Sequence, residues 1–416
     1  MGRSRNQRRS TKLFDTDDDS LSSTSTGGLS DLTIAQEVEV DGSEDLVLDN
    51  HLDALYEKRA STRENGLKGF ISAFTNDVQY EFAESKSETL LDQLMKSMKR
   101  GSSTEVALAA HAAGLLAITI GAGDIAHKVM EDSIPNFSRA CKIGSDAENY
   151  SMVLQSLAVV TFVGGTDFEE TEKSMDLLWQ QISGTNKTQP AVKAAAISAW
   201  AFLLTTLPTH QLDSQFCKRC LPLLSTLLED DNRAVRIAAG EAIALIFETV
   251  NSEDEILDNS DNLDPGSFDL DNFLQARILE QMTTLSIEAS GKGSSKKDLN
   301  SQRSSFRDIL ASIQGGMKPE ATVKLQNGDV VNVSTWTQII QTNFLRHFLG
   351  GGFQKHMQVN SLLHEIFSFT PSQEKQQALS AKEKRLYMSP NSAASKARTQ
   401  QRNKRRSAKQ ERVSSD

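Results

Sequence analysis

Cysteine is scarce in this 416-residue chain: Cys141, Cys217 and Cys220 are the only three. That is too few for a disulfide framework and points to a reducing compartment, cytoplasm or nucleus. Cys217-x-x-Cys220 is half of a zinc pattern, but its only possible companions are His210 and the remote Cys141, so packing on a helix face is the reading. Aromatic residues make up 6% of the chain against 38% hydrophobic residues in all, a balance that suits stacked helices better than a sandwich. Long apolar runs are missing as well. The most apolar stretch, Val106 to Ala122, is interrupted by His111 and dominated by alanine and glycine, as a buried core helix would be, so no membrane association is expected. Gly2 to Arg9 has no apolar run behind it, which argues against a secretory signal. Asn6 stands where a myristoylation motif wants serine or threonine.

Catalytic signatures are absent too. The chain has no Gly-x-Ser-x-Gly elbow, His-Glu-x-x-His helix, Walker loop or dinucleotide fingerprint. His347, His356 and His364 lie near one another, but no carboxylate or cysteine accompanies them at metal spacing, which leaves structural or surface roles. Gly291-Lys292-Gly293 lacks the spacing and the flanking strand of a phosphate loop and reads as part of a linker. The expectation is a protein that is not an enzyme, with no catalytic, cofactor-binding or metal-binding residues and no cofactor.

What the chain does have is repetition. Asn232 to Phe247 is an alanine-rich segment with apolar Val235, Ala238, Ala239, Ala242, Ile243 and Ile246 at helical spacing. Earlier copies begin near Thr62, Thr104, Asp146 and Pro190, about 42 to 44 residues apart, the period of HEAT and armadillo repeats. Second helices are expected between them over Leu90–Met98, Ala126–Cys141, Phe168–Ile182 and Leu212–Leu228. Asp230, Asp231 and Asn232 are candidate caps, and Pro190 suits a first helical turn. Small residues let helix axes approach closely, and stacking repeat on repeat buries a continuous core. The product of such a fold is surface.

The remaining chain divides by composition. Residues 1–44 form a basic, then acidic, then serine-rich lead that cannot bury a core. The armadillo/HEAT-like helical solenoid takes 45–290, with Glu253 to Asp271 as an acidic loop and Phe273 to Ile287 as a closing helix. A linker at 291–298 precedes a small α+β domain at 299–372. In that domain Arg303 to Ile313 is helical, Thr322–Leu325 and Val330–Val333 form a hairpin around Asn327-Gly328, and Trp336 to Leu349 is helical up to the turn Gly350-Gly351-Gly352. A basic tail follows at 373–416. The fold class expected is therefore mainly α.

The net charge of −10 hides a separation: from Lys382 to Arg412 eleven basic residues stand against Glu383 and Glu411, a formal +9, so the rest of the chain sums to −19. Asn391 to Val413 contains no glycine or proline, and its composition favours a helix with almost no apolar face. About 20 residues of helix reach roughly 30 Å. Such a helix presents Lys396, Arg398, Arg402, Lys404, Arg405, Arg406, Lys409 and Arg412 around its circumference. Nucleic acid is the obvious polyanion for it, gripped through phosphate, since Tyr387 is the only aromatic nearby to stack on bases. Lys404-Arg405-Arg406 also fits a nuclear import signal, and a merely solubilising tail is a third reading.

Four segments resemble one family, with their order along the chain kept: Ser198 to Leu204, Arg233 to Ala242, Arg303 to Asp308 and Asn391 to Arg398. They are similar to the interferon-related developmental regulators, and the resemblance spans about residues 45 to 410. It implies an armadillo-type fold without catalysis and a regulator of gene expression. In the mode it implies, the basic C-terminal helix, here Ser392 to Arg398 continued by Arg402, Lys404, Arg405 and Arg406, occupies the mRNA path of inactive ribosomes. The first expectation is accordingly a translational repressor that binds ribosomes and rRNA through the tail. The alternative is a nuclear transcriptional co-regulator that holds protein partners on the solenoid surface. Both place the protein in cytoplasm and nucleus.

Overall fold

A computed structural model describes residues 12–13, 43–143, 146–184, 188–257, 272–288 and 296–371. Twelve of its helices alternate along the chain: α1 (Ser43–Leu55), α2 (Ala60–Asn76), α3 (Tyr80–Arg100), α4 (Ser103–Ile120), α5 (Asp124–Ile143), α6 (Ala147–Gly164), α7 (Phe168–Ser183), α8 (Pro190–Leu204), α9 (Ser214–Leu227), α10 (Arg233–Leu257), α11 (Asn272–Ile287) and α12 (Lys296–Gly315). Each odd-numbered helix packs on the even-numbered helix that follows it, and the even-numbered helices touch one another in sequence order from α2 to α12. The result is a helical solenoid of six pairs, with α2, α4, α6, α8, α10 and α12 as its inner row. The first five inner helices start 43, 44, 43 and 43 residues apart.

Local chemistry sets these starts. Asp146 caps α6 by accepting from Asn149 N, Asp167 caps α7 through Glu170 N, Asn232 takes the amides of Ala234 and Val235, and Pro190 opens α8. The central inner helices α4, α6 and α8 are apolar nearly all round because they are buried nearly all round. α4 is the one described helix long and apolar enough to cross a membrane. Here it lies among α2, α3, α5 and α6.

A repeated arginine ties successive inner helices together. Arg63, the fourth residue of α2, donates to the Glu57 and Lys58 carbonyls (3.0 and 2.8 Å) and holds Glu105 of α4 with two bonds of 2.7 and 2.8 Å. Arg236, the fourth residue of α10, does the same to the Asp230 and Asp231 carbonyls (2.9 and 3.1 Å) and reaches Gln302 of α12 at 2.7 Å. α12 therefore occupies the next inner position, with Phe306 pressed against Gly240 of α10. The solenoid runs to Gly315, beyond the boundary expected near 290. Lys296 to Asp298, assigned to a linker from the sequence, begin α12, and Glu253 to Leu257, assigned to an acidic loop, finish α10.

The remaining described elements are the antiparallel strands β2 (Ala321–Lys324) and β3 (Val330–Val333), then α13 (Trp336–Leu349), the 3-10 turn Gly350–Gly352, α14 (Phe353–Val359) and α15 (Ser361–Ile366). Gly328 turns the hairpin with a φ of 90°, a conformation glycine supplies without strain. Lys12–Leu13 lie within the lead expected to be structureless, yet they form the two-residue strand β1, parallel to β2, with Lys12 opposite Ala321. A free sheet edge offers the hydrogen bonds that such a segment cannot make internally. The described residues from Lys12 to Phe369 fall within one compact unit, so the α+β segment is a continuation of the solenoid body.

Candidate functional site

The segment from α13 to α15 lies across the C-terminal halves of the inner helices and acts as a cover. Glu248 of α10 accepts from Trp336 N and Thr337 N (2.9 and 3.2 Å), capping α13 with a carboxylate, and Trp336 Nε1 donates to Ser312 of α12 at 3.0 Å. Burial pushes the Glu248 carboxyl above its ordinary range, opposed by those two amides. Next along α13, Gln341 donates to Thr205 (3.0 Å), and Phe344 stacks on Phe202 of α8 at 4.2 Å, which stacks in turn on Phe162 of α6 at 4.3 Å. Phe348 then meets α4 at Gly114, where any Cβ would sit 2.6 Å from its ring. That glycine in mid-helix costs about 1 kcal/mol against alanine and is explained by the close approach.

Two of the clustered histidines hold the far end of the cover, and the half-buried His111 joins them. His356 Nε2 donates to the Phe74 carbonyl at the end of α2 (2.8 Å), which leaves Nδ1 to accept from Asn360 at 3.2 Å. Asn360 also donates to the Ile118 carbonyl of α4 (3.0 Å) and accepts from Leu362 N (2.9 Å). His364 donates to the Met357 carbonyl at 2.9 Å. On the solenoid side, His111 of α4 donates to the Phe348 carbonyl at 3.3 Å. Burial lowers the pKa of His111 to about 4, and lowers that of His356 as well. Both are neutral polar bolts between cover and stack. His347 stays exposed.

Among the described residues, none covers the N-terminal halves of α6, α8 and α10. Beside α13 they leave a groove of about 520 Å³. Its floor is made of alanines, among them Ala194, Ala195, Ala234 and Ala238, and its α13 wall carries Ile340, Asn343 and Phe344. Gln155 of α6, only 7% exposed, lines it as well. Groove and cover were both missed from the sequence. The available signal for the cover was the mid-helix glycine Gly114, which marks where another element comes close.

The three cysteines are buried, with Cys217 and Cys220 side by side on α9. Burial raises the thiols of Cys141 and Cys217 to about 12, and that of Cys220 also upward, so these are packed thiols and not reactive ones. No cluster of metal-ligating side chains occurs among the described residues. The eight basic residues expected to contact nucleic acid, Lys396, Arg398, Arg402, Lys404, Arg405, Arg406, Lys409 and Arg412, lie outside the described residues, as does the acidic loop from 258 to 271.

The family model described as Interferon-related developmental regulator matches residues 17–314, ending at the last turn of α12, and a second, the Interferon-related protein conserved region, matches residues 360–410. The chain belongs to the interferon-related developmental regulator family. Interferon-related developmental regulator 2 of Mus musculus is 29% identical over 377 residues, covering 86% of this chain and 81% of that protein. Regulator 1 of Mus musculus is 28% identical over 375 residues (85% and 78%), and regulator 1 of Homo sapiens 26% over 376 (85% and 78%). Membership makes the chain a family regulator of gene expression. The match at 360–410 joins α15 to the basic tail, so the family's second conserved region starts inside the cover.

Proposed function

We propose that this family member is a non-enzymatic regulator that binds ribosomes through its basic C-terminal segment and represses translation, with the armadillo-like body as scaffold. The observation that carries the reading is the charge separation: +9 between Lys382 and Arg412 against −19 elsewhere. A polyanion of rRNA phosphates neutralises the tail without base-specific contacts, and an acidic body keeps the rest of the chain off the same surface. Lys396, Arg398, Arg402, Lys404, Arg405, Arg406, Lys409 and Arg412 are the residues assigned to phosphate contact. Six to ten phosphate contacts make affinity fall by roughly 10³ to 10⁵ between 50 and 200 mM salt. Sedimentation with ribosomes across a salt series, for the full chain and for a chain ending at Pro390, tests this. The expected result is binding that drops steeply with salt and is lost on truncation; salt-insensitive binding by the shortened chain overturns it.

A second reading, a nuclear transcriptional co-regulator holding a protein partner, draws on the uncovered part of the inner row, with Lys404-Arg405-Arg406 as import signal. It requires nuclear as well as cytoplasmic residence and no membrane association. Tagged protein that stays outside the nucleus while export is blocked would end this reading.

A further inference from the structure

We propose that Thr11 is the acceptor for a protein kinase that reads arginines, and that its phosphate releases strand β1 from the edge of β2. This rests on the sheet and on the sequence ahead of it, and the reading of the basic tail does not enter it.

The first support is the pairing itself. β2 has four residues, Ala321–Lys324, with β3 along one edge. On the other edge Lys12 pairs with Ala321 and Leu13 with Thr322, half the length of β2. A row of N–H and C=O groups on a sheet edge is a template for an extended chain, and here the start of the same chain meets it. A two-residue ladder holds few hydrogen bonds, each modest in net worth once water competes for it. A small added cost is therefore enough to part the strands. The 29 residues from 14 to 42 let β1 leave without displacing α1.

The second support is the sequence just ahead of β1, Arg8-Arg9-Ser10-Thr11. Arginines three and two residues before a hydroxyl form a charge pattern by which kinases select substrates, through guanidinium groups held by carboxylates of the enzyme. Thr11 stands at that spacing, which makes Lys12 and Leu13 the two positions after the acceptor. A substrate segment enters such a site as extended main chain, the form that β2 also takes by strand addition. One stretch of backbone cannot serve both at once. Lys99-Arg100-Gly101-Ser102 has the same spacing without that form, because Lys99 and Arg100 close α3 and Ser102 caps α4.

Charge gives the phosphate its effect. In the transfer, the Thr11 hydroxyl oxygen bonds to the γ-phosphorus of ATP, the bond to ADP breaks, and the hydroxyl proton passes to the catalytic carboxylate of the kinase. The ester adds a charge of about −1.5 to −2. Counting back from the pairing of Lys12 with Ala321, Thr11 falls to Glu320, which is exposed. Like charges directly opposite one another destabilise a strand pair. Lys318, two residues before Glu320, already acts on the Glu248 carboxylate.

The test treats the full chain, and separately a free peptide of residues 6–16, with Mg-ATP and the catalytic subunit of cAMP-dependent protein kinase. Mass spectrometry should place phosphate on Thr11 in both, at least threefold more slowly in the chain, where β2 competes. Hydrogen exchange over Ala321–Thr322 should become at least fivefold faster once Thr11 is modified. Thr11→Ala should abolish that response while leaving Ser407, behind Lys404-Arg405-Arg406, open to the same kinase. Lys12→Pro with Leu13→Pro should speed the exchange equally without any phosphate, since both backbone donors of β1 are gone. In Glu320→Lys, phosphorylation should change the exchange by less than twofold. A peptide left unmodified at Thr11, equal rates for peptide and chain, or exchange that ignores either the phosphate or the two prolines overturns the proposal. So does a response in Glu320→Lys as large as in the parent chain.

Discussion

The two halves of the same inner helices make an instructive pair. Toward their C-terminal ends, α2, α4, α8 and α10 meet α13 to α14 through stacked phenylalanines, a glycine contact and neutral histidines. Toward their N-terminal ends, α6, α8 and α10 show mainly alanine, with Gln155 beside it, to an open groove. The residue types follow the division, as in α8, where Ala191, Ala194 and Ala195 give way to Trp200, Phe202 and Leu203. The larger residues meet an element that arrives later in the chain, 88 residues after Glu248 in α10 and 136 after Thr205 at the end of α8, so the core on that side is completed from outside the repeat.

Substitutions on the two halves should therefore have unequal costs. Phe344→Ala, removing the ring stacked on Phe202, should cost about 3–5 kcal/mol, read as a lower urea midpoint. Gly352→Ala would bring a Cβ to 2.7 Å from the Thr75 carbonyl carbon and should cost about 2–3 kcal/mol, with circular dichroism showing intact helix content. Acid should loosen the cover next. His111 and His356 are held neutral when folded and protonate more readily when unfolded. Their contribution is present above pH 6.5 and is lost as pH falls toward 4, about 2 kcal/mol for the half-buried His111. Urea midpoints measured from pH 7 to 4 should show this, and His111→Phe should flatten part of the slope. On the open half, Ala191→Trp should change stability by less than about 0.5 kcal/mol. A loss as large as that of Phe344→Ala would erase the contrast between the halves.

The repeats were legible because their signals are local. The copies expected from Thr62, Thr104, Asp146, Pro190 and Asn232 begin as helices at Ala60, Ser103, Ala147, Pro190 and Arg233. The hairpin around Asn327-Gly328 and the helix Trp336–Leu349 were equally readable, since turn chemistry and 3.6-residue spacing act within a few residues. The membership of α12 in the solenoid was not, because it rests on Arg236 meeting Gln302 and on Phe306 meeting Gly240. The cover was hidden for the same reason: nothing near Phe348 or His356 names Gly114 or Phe74 as a partner. The groove followed the cover into obscurity, as its α13 wall and alanine floor are joined only in three dimensions. The tail residues were singled out by charge, a property of composition that folding neither creates nor removes.

The bond from His356 to the Phe74 carbonyl spans 282 residues, and α13 begins against α10 and α12. An ordinary array of repeats frays from either end, because each unit answers only to its neighbours. Here the first and last pairs are tied by one strap, so the array should melt as a single cooperative block. A nascent chain on the ribosome lacks that fastening until nearly all of it has been made, so the repeats emerge early and wait for their clasp.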